Sequence, residues 1–269
     1  MISCRTCAVE FAEPLPTVCP ICEDERQYVP ATGQAWVTLE ELRDEGHAAT
    51  ITALGPRMWG LTAKGVGIGQ QMNLVSTPAG TLLWDPTGFL DDAAVTFIKE
   101  QGPVLAIASS HPHMFGAQVE WSHALGGVPI LVNESDAEWI GRPDKLIKLW
   151  TETYDVTDGL TLHQVGGHFV GSAVAHWSEG ADGDGVLLSG DTIMVNPDGQ
   201  TTSFQRSYPN RIPLSAAVVE RIAATVKPLA FEQIWNNFGA SILSGANEAV
   251  QKSAVRHAAW VRGDFDHLT

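Results

Sequence analysis

The sequence predicts an α/β fold that begins with a small cysteine-rich metal module, and three observations predict it. Short apolar runs of strand length alternate with segments of helical spacing over residues 34–269. All four cysteines fall within the first 22 residues, as two Cys-x-x-Cys pairs. Histidines and one aspartate then occupy the ends of apolar runs or glycine-rich turns, where strands can converge their ends on one point. Residues 1–33 are accordingly expected to form a metal knuckle and linker, and residues 34–269 one larger domain.

Composition sets the outer bounds. The 269-residue chain is 44% hydrophobic, enough for a substantial core. No apolar stretch approaches the length of a bilayer span, and the start Met1-Ile2-Ser3-Cys4-Arg5 has no secretory apolar segment. A soluble, cytoplasmic protein is expected, with no membrane partner. Acidic residues outnumber basic ones 31 to 16, giving a formal charge of -15 without long acidic tails. That balance argues against general nucleic-acid binding. It leaves room for an anionic small-molecule substrate, because a bound cation makes its own surroundings positive.

Cys4-Arg5-Thr6-Cys7 and Cys19-Pro20-Ile21-Cys22 each present two thiolates from one tight turn, and two such turns complete a tetrahedral S4 site. A short segment with few apolar residues needs such a metal to hold its fold. The rest of the chain has no cysteine, which suits a reducing compartment better than a disulfide framework. The paired turns, Cys-Pro-Ile-Cys above all, resemble the knuckles of rubredoxin and zinc-ribbon modules. The resemblance implies zinc, alternatively iron; the short separation between the pairs favours structural zinc over electron transfer.

Pro30 and Gly33 mark a linker after the knuckle. Thr38-Leu39-Glu40-Glu41 has the form of a capping box and predicts a short helix. Strands are predicted at 48–54, 58–63, 67–75 and 81–85, with Asp85, before Pro86, as a turn former. Residues 91–100 have helical spacing, with Ala94, Val95 and Ile98 on one side, and Gly102-Pro103 stops them. The run Val104-Leu105-Ala106-Ile107-Ala108 predicts a buried strand. Gly116 is expected to open a helix through Leu125, followed by a strand at 129–132 and a short helix at 136–140. Further strands are expected leading on from 158–162, at 172–177 (alternating and exposed) and at 185–191 (buried). Helices at 214–226 and 247–261 complete the order. Gly67-Ile68-Gly69 lacks the third glycine and the following helix of a nucleotide loop.

Three places carry metal chemistry. His111-Pro112-His113 follows the run ending at Ala108, and two histidines one residue apart at a strand end can turn both imidazoles to one face. Neutral imidazole is a favoured ligand for zinc and iron. His168 lies in Val165-Gly166-Gly167-His168-Phe169-Val170-Gly171-Ser172, whose glycines permit unusual backbone and close approach. Gly190-Asp191 closes a buried apolar strand. His123, His176, His257 and His267 have no partner motif and are read as packed or surface residues.

In that order and approximate spacing, His111-x-His113, Gly167-His168-x-x-Gly171-Ser172 and Gly190-Asp191 resemble the metallo-β-lactamase superfamily over roughly residues 34 to 269. The resemblance implies an α/β fold of the αββα sandwich type, preceded here by the Cys4 knuckle. It departs from the family's His-x-His-x-Asp-His pattern at Phe115 and Gly116. The stretch 231–239, where a late histidine is usual, contains Asn236 and Asn237 instead. Those missing groups serve a second metal in two-metal members. The expectation is therefore one zinc or iron held by His111, His113, His168 and Asp191.

The resemblance implies a metal-dependent hydrolase that uses metal-activated water, with Asp191 as ligand or water-orienting carboxylate. Two alternatives are a mononuclear non-haem iron redox enzyme, using two histidines and Asp191 as a facial triad, and a non-catalytic metal-binding protein. The segment Ser203 to Leu214 is read as a loop beside the site, with Arg206 and Tyr208 as substrate contacts. The expected partner is a small-molecule substrate.

Overall fold

A computed structural model describes residues 1–269, in two compact units, Met1–Thr151 and Glu152–Thr269. In the first unit, β1 (Ile2–Cys4) pairs antiparallel with β2 (Glu10–Phe11) and with β3 (Trp36–Thr38). Helix α1 (Pro20–Glu23) starts directly after Cys19, with proline where a missing N–H costs nothing. Strand β3 runs into α2 (Leu39–Asp44), where Thr38 and Glu41 form the expected reciprocal capping box. The knuckle is packed into its unit. Cys4, Cys7, Cys19 and Cys22 join the buried cluster that contains Leu61, Met72, Leu83, Phe89 and Trp121. One approach depends on Gly88, where a Cβ would lie 2.3 Å from the Ala8 Cβ.

The main sheet of this unit contains β4 (Ala49–Gly55), β5 (Met58–Ala63), β6 (Gln71–Thr77), β7 (Gly80–Trp84), β8 (Val104–Ala108), β9 (Ile130–Asn133) and β10 (Ile147–Trp150), side by side in sequence order. Strands β4 to β7 are antiparallel and β7 to β10 parallel. Parallel neighbours need crossovers, and the chain supplies α3 (Asp92–Glu100) before β8 and α4 (Gln118–Ala124) before β9. Asp91 caps α3 through the N–H of Ala94, and Ala94 and Ile98 are its buried residues. Central β7 is buried at every position, whereas edge strand β4 is half-exposed.

The second unit begins with β11 (Thr153–Thr157), β12 (Leu160–Gln164), β13 (Ala173–Trp177) and β14 (Val186–Leu188), all antiparallel. Two short hairpins follow: β15 (Met194–Val195) with β16 (Thr202–Ser203), and β17 (Gln205–Ser207) with β18 (Ile212–Pro213). Helix α5 (Ala216–Val226) crosses over to β19 (Gln233–Trp235), parallel to β14, and β20 (Ser241–Ile242) closes the edge. Val219, Ile222, Ala223 and Val226 give α5 a buried stripe at i, i+3, i+4 and i+7. They pack with Val174, Leu187, Phe204 and Ile234, and with the buried face of α6 (Ala246–Arg262).

Two local expectations are corrected. The strand at 172–177 is not exposed: Ala173, Val174, Ala175 and Trp177 are buried, because β13 lies between β12 and β14 inside the sheet. Small alanines in alternation had given it the look of a one-sided strand. Of residues 136–140, predicted as a short helix, 136–139 belong to a 3-10 segment, Glu134–Trp139, rather than an α-helix. No helix is long and apolar enough to cross a membrane.

Candidate metal centres

The four cysteines meet as expected. All are buried and none forms a disulfide. Their sulfurs lie within 4.8 Å of one another, with Cys4 Sγ 3.7 Å from Cys22 Sγ and Cys7 Sγ 3.8 Å from Cys19 Sγ. A tetrahedral ion with metal–sulfur bonds of about 2.3 Å requires sulfur–sulfur edges of about 3.8 Å. The cluster therefore fits one tetrahedral ion. Gln34, in the expected linker, clamps it: Nε2 donates to Cys4 Sγ at 3.3 Å, and Oε1 accepts the Cys19 N–H at 3.0 Å. Nothing in the linker's composition marked Gln34 for that task.

Within the same unit, β8 ends at Ala108, and His111 and His113 stand beyond it, around and within a 3-10 turn at Pro112–Met114. The pair is thus carried by a turn, not by strand alternation. Both imidazoles are buried, with ring centroids 5.0 Å apart and planes at 75°. A hydrogen-bond chain orients the first. The Asp85 carboxylate, fully buried at the end of β7, accepts from Ser110 N–H at 2.6 Å and from Ser110 Oγ at 3.0 Å. Ser110 Oγ has spent its only proton on Asp85, so it accepts from His111 Nδ1–H at 2.9 Å. The imidazole proton is then on Nδ1, and Nε2 carries the lone pair a metal needs. Asp85, read from sequence as a turn former, does turn the chain, at φ 60°, and also anchors this chain of bonds.

The second unit holds His168 and Asp191 together. Gly166 and Gly167 turn the chain at φ 65° and 96°, and a Cβ on Gly167 would lie 2.7 Å from Ile222 Cδ1. The turn places His168 wholly inside, where Nδ1–H donates to the Gln205 main-chain oxygen at 3.0 Å. In the neutral ring that bond leaves Nε2 as the lone-pair nitrogen, and it faces Asp191 Oδ2 at 3.6 Å. Burial pushes the Asp191 carboxyl up, while His168 and the Asn237 amide, donating to Oδ1 at 3.0 Å, pull it back. The Tyr208 hydroxyl donates to the main-chain oxygens of Asp191, at 3.0 Å, and Ser203, at 3.3 Å, bracing the Asp191 loop. Arg206 is half-buried on β17.

Three of the other histidines are engaged elsewhere. His123 Nε2 meets Asp144 Oδ2 at 3.0 Å, His176 Nε2 donates to Ala230 O at 2.7 Å, and His257 Nε2 donates to Leu214 O at 2.8 Å. They have the packed or surface roles expected of them.

No protein-family model matches the chain. Among solved structures it is similar to the DIM-1 metallo-β-lactamase, with TM-score 0.57 and 15% identity over 77% of this chain and 97% of that one. It is likewise similar to the metallo-β-lactamase FIM-1 from Pseudomonas aeruginosa in its mono-zinc form (0.55, 16%, 78% and 96%). A metallo-β-lactamase from Hirschia baltica gives 0.54 at 19% identity, over 78% and 97%. The chain thus has the metallo-β-lactamase fold, the α/β class expected from its sequence, with a four-cysteine cluster near its start. In sequence it is 43% identical over 269 residues to the uncharacterized protein YmaE of Bacillus subtilis (strain 168), covering 98% of each chain. It belongs to the family of that protein.

Proposed function

We propose that the chain is a metal-dependent hydrolase whose single core ion is held by His111, His113, His168 and Asp191. The observation that carries this reading is the arrangement of His168 and Asp191. The His168 Nε2 and an Asp191 carboxylate oxygen face each other at 3.6 Å in a buried setting. An imidazole and a carboxylate so placed form a donor pair that a bound cation would satisfy. The fixed tautomer of His111 prepares a further nitrogen donor in the same way. An imidazole and carboxylate donor set suits zinc or iron. Either ion, once bound, supplies Lewis acidity that polarises a carbonyl or phosphoryl oxygen and eases ionisation of water.

The residues of the chain then have distinct tasks. Ser110 and Gln205 hold His111 and His168 in their ligating tautomers. Asn237 occupies Asp191 Oδ1 and leaves Oδ2 to meet the ion or to orient water. Arg206 and the Tyr208 ring are proposed to contact a small-molecule, anionic substrate. The Cys4 cluster holds a second, structural ion, taken as zinc.

A one-ion core is supported by what replaces the additional ligands. Phe115 is an apolar buried side chain. Gly116 sits at φ 49°, where a Cβ would lie 2.0 Å from the Pro86 oxygen. No side chain fits there while that backbone holds. Asn237 is committed to Asp191.

Elemental analysis of the whole protein should give two metals per chain, with one lost in Cys19→Ser and the other in His168→Ala. A panel of chromogenic esters, thioesters, lactones and phosphodiesters should show hydrolysis that disappears in His168→Ala. Full metal content in His168→Ala would sink the core assignment, and three metals in the wild type would sink its mononuclear form. Core iron accompanied by oxygen consumption would replace hydrolysis with the redox reading.

A further inference from the structure

The second unit carries a cavity none of whose wall residues is a proposed metal ligand. It has a volume of about 400 Å³ and lies between α6 and the two small hairpins, with Thr202 and Ser203 of β16, Arg211 and Pro213, and Arg256 and Trp260 among its walls. A smaller cavity of about 140 Å³ shares Arg256 with it. On a chain with nearly twice as many acidic as basic residues, no carboxylate lines the larger cavity. Its fixed charges are the guanidiniums of Arg211 and Arg256, both on exposed residues. Neighbouring cations are already neutralised, Lys252 by Glu248 at 2.7 Å and Arg262 by Glu220 at 2.6 Å, while Arg211 and Arg256 stand outside those pairs.

Arg256 keeps a direction rather than a charge partner, since its Nη2 donates to the Thr202 main-chain oxygen at 3.4 Å. Asp198, the acid that feels Arg256, is already held by the N–H groups of Gln200 and Thr201 and by the Thr201 hydroxyl. Thr202 lines the cavity, and its hydroxyl is buried and has no hydrogen-bond partner in the protein. Such a group costs free energy unless something bonds to it. Trp260 adds an aromatic surface, 46% exposed and steadied by Phe265 at a centroid distance of 5.1 Å.

We infer that this cavity binds a small phosphomonoester carrying a planar ring. Two guanidiniums match the charge of a dianionic head and can each grip it through paired N–H groups. The Thr202 hydroxyl supplies a neutral hydrogen bond, and Trp260 stacks on the ring. Neither a metal ion nor a cationic ligand suits walls whose only fixed charges are positive.

The probe is phenyl phosphate, titrated calorimetrically into the whole metal-loaded protein, beside inorganic phosphate, benzoate and benzyl alcohol. Saturable binding of phenyl phosphate should persist in His168→Ala, which separates this cavity from the proposed core ion. It should weaken about tenfold or more in Arg211→Gln and in Arg256→Gln, each of which removes charge-assisted bonds. Trp260→Ala should bring phenyl phosphate down to the affinity of inorganic phosphate. All three positions are exposed, so the variants keep the fold. The assignment is overturned by absent saturation, by binding lost in His168→Ala yet kept in both arginine variants, or by benzoate or benzyl alcohol binding as tightly as phenyl phosphate.

Discussion

Glu10 is a buried acid on β2 whose ionisation should govern the pH dependence of stability. Its Oε2 accepts from Arg142 Nη1 at 2.8 Å, and its Oε1 accepts from the N–H of Val119. Its own N–H donates to Gly116 O at 2.9 Å, so it fastens the knuckle to the segment following His113. Burial nevertheless dominates, raising its pKa from 4.5 to about 7 against the pull of Val119 and Arg142. The folded state thus binds the proton more tightly than the unfolded state. Its contribution is fully present below the unfolded value of 4.5 and is lost as pH rises through 7. A separation of about 2.5 pK units corresponds to about 3 kcal/mol in total. About 2 kcal/mol of that falls between pH 5.5 and 8. Glu10→Gln preserves shape and removes the ionisation. Urea unfolding followed by tryptophan fluorescence at several pH values should show the wild type losing about 2 kcal/mol relative to the variant over that range. Parallel pH profiles for the two proteins would refute the reasoning, because then Glu10 would carry no differential proton affinity.

The other predictions follow the bonds around the two clusters. Cys19→Ser should release one metal and speed hydrogen exchange over residues 1–30, leaving the sheet amides of β5 to β8 protected. Asp85→Asn and Ser110→Ala should each weaken core-metal affinity by about 10- to 100-fold, as loss of a ligand-orienting partner does; unchanged affinity in a chelator competition would remove Asp85 from the site. His176→Ala should keep full metal content while His168→Ala loses the core ion, and an exchange of those two behaviours would mean that the loop had been aligned wrongly.

Much of the fold was legible because its elements are locally consistent. The capping box at Thr38 and Glu41, the apolar run Val104–Ala108 and the apolar stripe of α5 each carry their own period or cap. The clustering of the cysteines was legible for the same reason, since two tight turns leave few alternatives. Sequence failed where burial depends on what covers an element. Strand β13 reads as one-sided only until β12 and β14 flank it. The 3-10 turn at Pro112 likewise follows Ser110, whose N–H is held by Asp85 at the end of a different strand.

The ligand-orienting groups were hidden by distance in sequence, although one had a signal that went unused. Asp191 was singled out as a carboxylate closing a fully apolar strand. Asp85 has the same setting: it directly follows β7, whose five residues are all buried, and it is itself fully buried. A carboxylate delivered to the interior by such a strand is costly unless partnered, so its position alone asks for donors or a cation. The same rule marks Asp85 and Asp191 alike, and their neighbours separate their tasks. Asp85 meets a hydroxyl and an N–H and orients a histidine. Asp191 faces the His168 Nε2 at 3.6 Å and accepts from the Asn237 amide. Gln34 and Asn237 had no such signal, because an amide is as ordinary in a solvated loop as in a clamp. Only the bonds each makes, to Cys4 and Cys19 in one case and to Asp191 in the other, distinguish the two.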